Sequence, residues 1–309
     1  MQGLMMDYGL TLEKILFRAR DVYPNQTIVS RMANESLHRY TFSDFYRRTI
    51  RLMNALRSLS VKKDDRIGTF AWNSYRHLEL YFAIPCLGSV LHTLNIRLFP
   101  EQLSFIVNHA EDQYIFVDHS LTKLLSPLQK EFKHVKKFIL MDDGVPADPA
   151  LENTISYEEL LASSSETEEF PNLDENQAAA LCYTSGTTGD PKGALYSHRS
   201  TFLHSLGICL GDSLGLSMND TVLAVVPMFH VNCWGIPYAC ALTGAKPVFP
   251  GAHLIGKPIA ELIQDEKITL AAGVPSIWNP LYQFLKKSHY NMSSLRGLVV
   301  GGSAAPRSM

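Results

Sequence analysis

The chain has 309 residues, a net charge of −2 at pH 7, 46% hydrophobic residues and 19% charged residues. That is room for a sizeable core and two subdomains, in the composition range of globular proteins. The near-balanced charge removes a global electrostatic argument for nucleic acid, and the most apolar region (222–250) is broken by Pro227, His230, Asn232, Pro237 and Lys246, so no transmembrane segment is expected.

In chain order, residues 11–20 read as a short amphipathic helix. In "RYTFSDFYRRTIRLMNALRSL", Thr41 or Ser43 can cap a helix whose Phe45, Ile50, Met53 and Leu56 recur at helical spacing. Strand "IGTFAW", helix "YRHLELYFAIPCLG" and strand "SVLHTL" make a β-α-β unit. The alternation continues with a helix opened by Pro100, strand "QYIFVD", helix "LTKLLSPLQKEF" and a strand in "HVKKFILMDD". Residues 142–176 are rich in Pro, Ser and acids around a short helix "SYEELLA", and read as a surface connection. The acidic run from Glu166 to Glu169 is read there as solvated, with a partner-binding patch as the alternative. Strand "AAALCYT" then restarts the alternation, with helix 197–209, strands "TVLAVVP", "KPVFP", "ITLAAG" and "GLVVGG", and helices "KPIAELIQDE" and "PSIWNPLYQFLKK". This predicts an α/β fold of two doubly wound subdomains, residues 1–175 (with the acidic connector) and 176–309.

The segment "YTSGTTGDPKG", Tyr183 to Gly193, is built for an anion: seven of its eleven residues are Gly, Ser or Thr, and Lys192 adds a cation. It follows a buried strand and precedes a helix. It is not the common NTPase loop, because Pro191 stands where the second Gly belongs and Gly193 where a magnesium-binding hydroxyl belongs. A flexible loop without ligand is the plain alternative. The five cysteines show no CxxC pair and read as buried thiols in a reducing compartment. The N-terminus lacks signal-peptide architecture, so a cytoplasmic protein is expected.

The segment resembles the signature of the AMP-forming adenylating enzymes. "YSHRS", "VVPMFHVNCWG", "AGVPSIW", "LRGLVVGGSAAPRS" and "VLHTLNIRLFPEQLSFIVNHAED" extend the likeness over Leu10–Met309 and look most like the medium- to long-chain fatty-acid–CoA ligases. The resemblance implies activation of a fatty acid by ATP to acyl-AMP, then transfer to coenzyme A, with Mg2+ assisting. It implies phosphate contacts from Thr184, Ser185, Gly186, Thr187, Thr188, Gly189 and Lys192, with Thr184 also on the magnesium side and Thr184 and Lys192 sharing in catalysis. It places catalytic His230 near the carboxylate and α-phosphate, Val231 beside the adenylate, Trp234 as gate of the acyl site, and Gly301, Gly302 and Ser303 by the adenine and acyl pocket. His230 and Trp234 also read as ordinary core residues, and Gly301 and Gly302 as a simple turn.

The family continues beyond "GGSAAPR" with a "YGxTE" motif, a ribose-binding Asp and a small C-terminal domain bearing a catalytic Lys; none is in this sequence. The chain is therefore expected to be the truncated large N-terminal domain, with impaired activity, as a homodimer or with a complementing C-terminal half. The alternatives are a non-catalytic acyl- or nucleotide-binding fragment, and a ligase for a short thioether or branched acid.

Overall fold

The computed structural model describes residues 1, 3–184 and 190–304. Helix α1 (Leu12–Val22) leads to a hairpin of β1 (Thr27–Arg31) and β2 (Leu37–Thr41). Helix α2 (Phe42–Ser58) starts at Thr41 with a reciprocal cap: the Asp44 N–H donates to Thr41 Oγ1 at 3.1 Å, and the Thr41 N–H donates to Asp44 Oδ2 at 3.0 Å. β3 (Arg66–Phe70), α3 (Tyr75–Cys86) and β4 (Val90–Thr93) follow. Every residue of α3 is buried, as a helix apolar on nearly all sides must be.

Next come α4 (Pro100–Ala110), β5 (Tyr114–Asp118), α5 (Thr122–Leu125), β6 (Lys137–Met141), β7 (Thr154–Ser156), α6 (Tyr157–Ala162) and β8 (Ala178–Thr184). The long helix expected over 121–132 is confined to Thr122–Leu125 with short 3-10 turns beside it, because Pro127 cannot continue an α-helical ladder. The remainder is β9 (Lys192–Ser197), α7 (His198–Cys209), β10 (Thr221–Ala224), α8 (Ile236–Thr243), β11 (Lys246–Phe249), α9 (Lys257–Asp265), β12 (Leu270–Gly273), α10 (Pro275–Leu285) and β13 (Gly297–Val300).

Two sheets result, with strand orders β7-β6-β5-β3-β4-β8-β9 and β13-β12-β10-β11-β1-β2. All neighbours are parallel except β8–β9 and β1–β2. The sheets do not divide the chain at residue 175. The β1–β2 hairpin joins the sheet of the second half, while β8 and β9 complete the sheet of the first. Glu266 helps fix that exchange, accepting from Arg39 of β2 at 2.9 Å and from Lys246 of β11 at 2.8 Å. Burial pushes its pKa up, but these two cations outweigh that and hold it down at about 2.

The connector is also more than a solvated link. Leu151, Tyr157, Leu160 and Leu161 are buried, and Glu158 bridges Arg48 and Arg76. Glu166 and Glu168 pair with Arg51 and Arg20, so the acidic run clasps the basic faces of α1 and α2. No helix among the described residues is long and apolar enough to cross a membrane.

Candidate active site

Residues 185–189 lie outside the described residues, so Ser185, Gly186, Thr187, Thr188 and Gly189 are not placed. Their flanks are. Thr184 pairs with Lys192 across the antiparallel β8–β9 ladder, and the Thr184 hydroxyl donates to the Lys192 carbonyl at 3.4 Å. The glycine-rich segment therefore connects two strands. It does not open directly onto a helix as its sequence suggested, because Lys192–Ser197 is extended and α7 starts only at His198.

Gly193 has a packing reason. A Cβ there would lie 2.9 Å from Leu181 Cδ1 and 3.2 Å from the Tyr183 ring. Tyr183 lies flat across this position, and its hydroxyl meets His109 Nδ1 at 2.6 Å.

The segment after β10 carries the histidine. Val225, Val226, Met228 and Phe229 are buried, and His230 emerges exposed. Among the described residues its ring has no hydrogen-bond partner, so it is not a satisfied core histidine. It borders a cavity of about 180 Å³ with Asn95, Arg97, Phe229, Leu254 and Val274. Leu254 follows β11 and Val274 follows β12, so this cavity sits at the carboxyl ends of the parallel strands, where open α/β sheets bind ligands.

Five consecutive residues after His230 have positive φ: Val231 (46°), Asn232 (47°), Cys233 (53°), Trp234 (53°) and Gly235 (69°). Only glycine takes this region freely, and each other residue there costs roughly 1 kcal/mol or more. The turn is held from outside. Cys182 of β8 donates its thiol to Asn232 Oδ1 at 3.2 Å, Cys233 donates to the Val226 carbonyl at 2.8 Å, and His204 Nε2 meets the Trp234 carbonyl at 3.0 Å. The outcome is a second cavity of about 240 Å³ against Tyr196, Ser200, Thr201 and His204, lined by Val231, Asn232 and Gly235. The step from His230 to Val231 thus separates two cavities.

Gly301 and Gly302 directly follow β13, an edge strand among the described residues, with Gly302 at φ 77°. Trp234 is half-buried, against Gly301, and a Cβ on Gly302 would touch Val274 Cγ1 at 3.1 Å. Ser303 is exposed beyond them. His230, Val231, Trp234, Gly301 and Gly302 therefore gather at one end of the second sheet. Thr184 and Lys192 belong to the first sheet and connect to that group through Cys182.

Arg97 and Asn73 escaped sequence reasoning. The Arg97 N–H donates to Asn95 Oδ1 at 2.9 Å, and its guanidinium lies 6.0 Å from the Phe229 ring. Among the described residues it has no carboxylate partner. The available signal was a lone Arg in the loop after β4, in a segment already singled out for its likeness.

A model of the family described as AMP-binding enzyme matches residues 16–309. The long-chain-fatty-acid–CoA ligase of Thermus thermophilus is 45% identical over 305 residues, 99% of this chain and 55% of that protein. The 3-methylmercaptopropionyl-CoA ligase of Ruegeria lacuscaerulensis is 43% identical, over 100% of this chain and 58% of that protein. The chain thus spans a little over half the length of these curated relatives. Among solved structures, an anthranilate CoA ligase in complex with anthranoyl-AMP superposes with a TM-score of 0.85 at 22% identity, covering 99% of this chain and 57% of that one. A long-chain-fatty-acid–CoA ligase from Archaeoglobus fulgidus gives 0.85 at 23% identity, covering 100% and 61%. These two speak for the fold alone. Since the family model runs through both sheets and every motif around the paired cavities, the chain belongs to the AMP-binding enzyme family.

Proposed function

We propose that the protein carrying these residues is an acid–thiol ligase: it joins a carboxylic acid to ATP and passes the acyl group to coenzyme A. The observation that carries this reading is the step at His230–Val231, which sets an imidazole with no hydrogen-bond partner among the described residues on one cavity and an apolar side chain on the next. A carboxylate oxygen would attack the α-phosphorus, forming acyl-AMP and releasing pyrophosphate. The thiol of coenzyme A would then attack the acyl carbon, releasing AMP.

His230 would hold the carboxylate and α-phosphate oxygens beside each other, offsetting the repulsion of two anions. Lys192 and the Thr184 hydroxyl, both exposed, would face the β- and γ-phosphates together with Ser185, Gly186, Thr187, Thr188 and Gly189. Magnesium bound on the Thr184 side would supply charge neutralisation; the hydroxyl fits as one ligand, its one bond among the described residues being 3.4 Å long. Val231 and Trp234 would border the acyl chain, and Gly301, Gly302 and Ser303 the adenine.

The substrate we infer is an aliphatic acid, medium- to long-chain or a short thioether acid. Support for both comes from relatives named for long-chain fatty acids and for 3-methylmercaptopropionate. Five cysteines without a disulfide support a reducing, cytoplasmic setting. The test is ATP–pyrophosphate exchange on the protein as its source expresses it, against acids from butyrate to palmitate and 3-(methylthio)propionate. Acid-dependent exchange that His230→Ala lowers on the order of 100-fold supports the reading. Exchange with none of these acids overturns it.

A further inference from the structure

The Val225–Met228 segment runs on past the end of β10 and keeps one bond to its sheet, from the Val226 N–H to the Ala272 carbonyl of β12 at 3.1 Å, and Pro227 has no N–H to offer. Its other backbone groups need partners from elsewhere. Asn73, 4% exposed in the turn between β3 and α3, supplies three of them. Its Nδ2 donates to the Ala224 carbonyl at 2.8 Å and to the Val226 carbonyl at 2.7 Å, and its Oδ1 accepts from the Met228 N–H at 2.7 Å. Two carbonyls on one side and an N–H on the other fix which way the amide points. The Asn73 carbonyl also accepts from the Gly251 N–H at 3.2 Å, and the Tyr81 hydroxyl of α3 donates to the Met228 carbonyl. The side chain thus does for this segment what a neighbouring strand does for β10, from the other half of the molecule, two residues short of His230.

We propose that Asn73 is a positioning residue for the adenylation step, setting the path of Val225–Met228 so that the His230 imidazole stands at the cavity mouth. The inference rests on the ligase reading above. The chemistry is specific to an amide. Aspartate has the same shape but sets carboxylate oxygens against two carbonyl oxygens, and alanine removes all three bonds, leaving the Val226 carbonyl with the Cys233 thiol alone.

The experiment compares Asn73→Ala, Asn73→Asp and Tyr81→Phe with Asn54→Ala, in the protein as its source expresses it. Asn54 serves as control because it also makes several bonds, to the Ser165 carbonyl at 2.8 Å and the Thr167 carbonyl at 3.0 Å, but on the connector. Two readouts are taken: acid-dependent ATP–pyrophosphate exchange, and the ring resonances of His230 in 15N-histidine-labelled protein. His230 is assigned with His230→Gln, with exposed His134 and His289 as internal references. The Asn73 variants are expected to lower kcat of exchange on the order of 100-fold, with KM for ATP within about threefold, and to shift the His230 resonances while those of His134 and His289 stay in place. Tyr81→Phe, which deletes one bond and keeps the ring, is expected to shift them in part; it decides the matter if the Asn73 variants do not fold. Asn54→Ala is expected to change neither. A folded Asn73→Ala with unmoved His230 resonances, or a folded Tyr81→Phe without any shift where Asn73→Ala fails to fold, overturns the proposal. If the wild type shows no exchange, the ligase reading falls while the resonances still report on the positioning.

Discussion

The indole of Trp234 lies across the α-carbon of Gly301. A Cβ at residue 301 would sit 2.7 Å from Trp234 Cζ2 and closer still to Cη2, a separation that real side chains do not tolerate. Gly301 has an ordinary negative φ, so the requirement for glycine is steric contact with this ring rather than backbone freedom. The residue following β13 and the left-handed turn after β10 are thereby locked to each other.

Gly301→Ala is therefore expected to displace the indole rather than the strand, since Gly301 N–H is tied to the Gly273 carbonyl at 3.2 Å. Overpacking of this kind costs about 1–3 kcal/mol. The measurement is Trp fluorescence in a background where Trp72 and Trp278 are Phe. A shifted emission maximum is expected, together with an altered KM for the acid and little change in that for ATP. An unchanged spectrum would show that the ring does not rest on Gly301.

Gly193 makes an analogous prediction for the phosphate segment. Installing the hydroxyl of an ordinary NTPase loop, Gly193→Ser, places a Cβ 2.9 Å from Leu181 Cδ1 and against the Tyr183 ring. The variant is expected to lose about 1–3 kcal/mol in denaturant unfolding and to gain no ATPase activity. Gain of steady ATP hydrolysis without an acid would contradict the hairpin reading of β8 and β9.

Much of this was legible in sequence, for physical reasons that differ by element. Helix α2 announced itself through a capping Thr41 or Ser43 and its apolar stripe, and α4 through Pro100 at its first turn. The parallel strands read as short apolar runs because both faces are covered. β1 and β2 were missed: Leu37–Thr41 is an exposed edge whose pattern is mostly polar. β9 was missed because its residues are largely exposed and it follows a glycine-rich segment. The division at residue 175 failed because hydrophobic periodicity says that a strand exists but not which sheet receives it. At the site, motif likeness could point to His230 and Trp234, whereas the three bonds of Asn73 join residues about 150 positions apart and leave no local trace.

The Trp72 peptide, directly before Asn73, is gripped by two titrating groups of opposite sign. Its carbonyl meets His77 Nδ1 at 3.0 Å, with Thr69 Oγ1 on Nε2 at 3.0 Å, and its N–H donates to Asp118 Oδ2 at 2.7 Å. Burial lowers His77 to about 4, despite the bond to Trp72, so its contribution to stability is present above pH 6.5 and is lost as pH falls towards 4. Burial and then the Asp143 charge raise Asp118 to about 8, so its contribution is full below pH 4 and is lost as pH rises through 8. Asp118→Asn keeps the acceptor for the Trp72 N–H. It is expected to abolish the loss of stability between pH 6.5 and 8, to leave the His77 rise between pH 4 and 6.5 unopposed, and to raise the melting temperature at pH 8.5. His77→Gln is expected to leave only the Asp118 contribution, so that stability falls continuously from pH 4 to 8. Thermal melts across pH 4–9 check both, and profiles unchanged from wild type would exclude these groups.

Val231 stands at φ 46°, a conformation that a β-branched residue adopts only under constraint, and it is 39% exposed at the second cavity. Little packing is lost by removing its side chain. Val231→Gly relieves roughly 1–2 kcal/mol of left-handed strain. The added freedom of glycine in the unfolded chain costs about 0.5–1 kcal/mol. The balance lies between about 0 and 1.5 kcal/mol in favour of the variant, so it is expected to unfold at equal or higher denaturant concentration than the wild type. Function should move the other way, because the isopropyl group narrows the space beside Ser200 and His204. Removing it is expected to lower discrimination between straight-chain and branched acids in the exchange assay. A variant both less stable and equally selective would mean that the turn is not strained at Val231 and that the side chain faces no substrate.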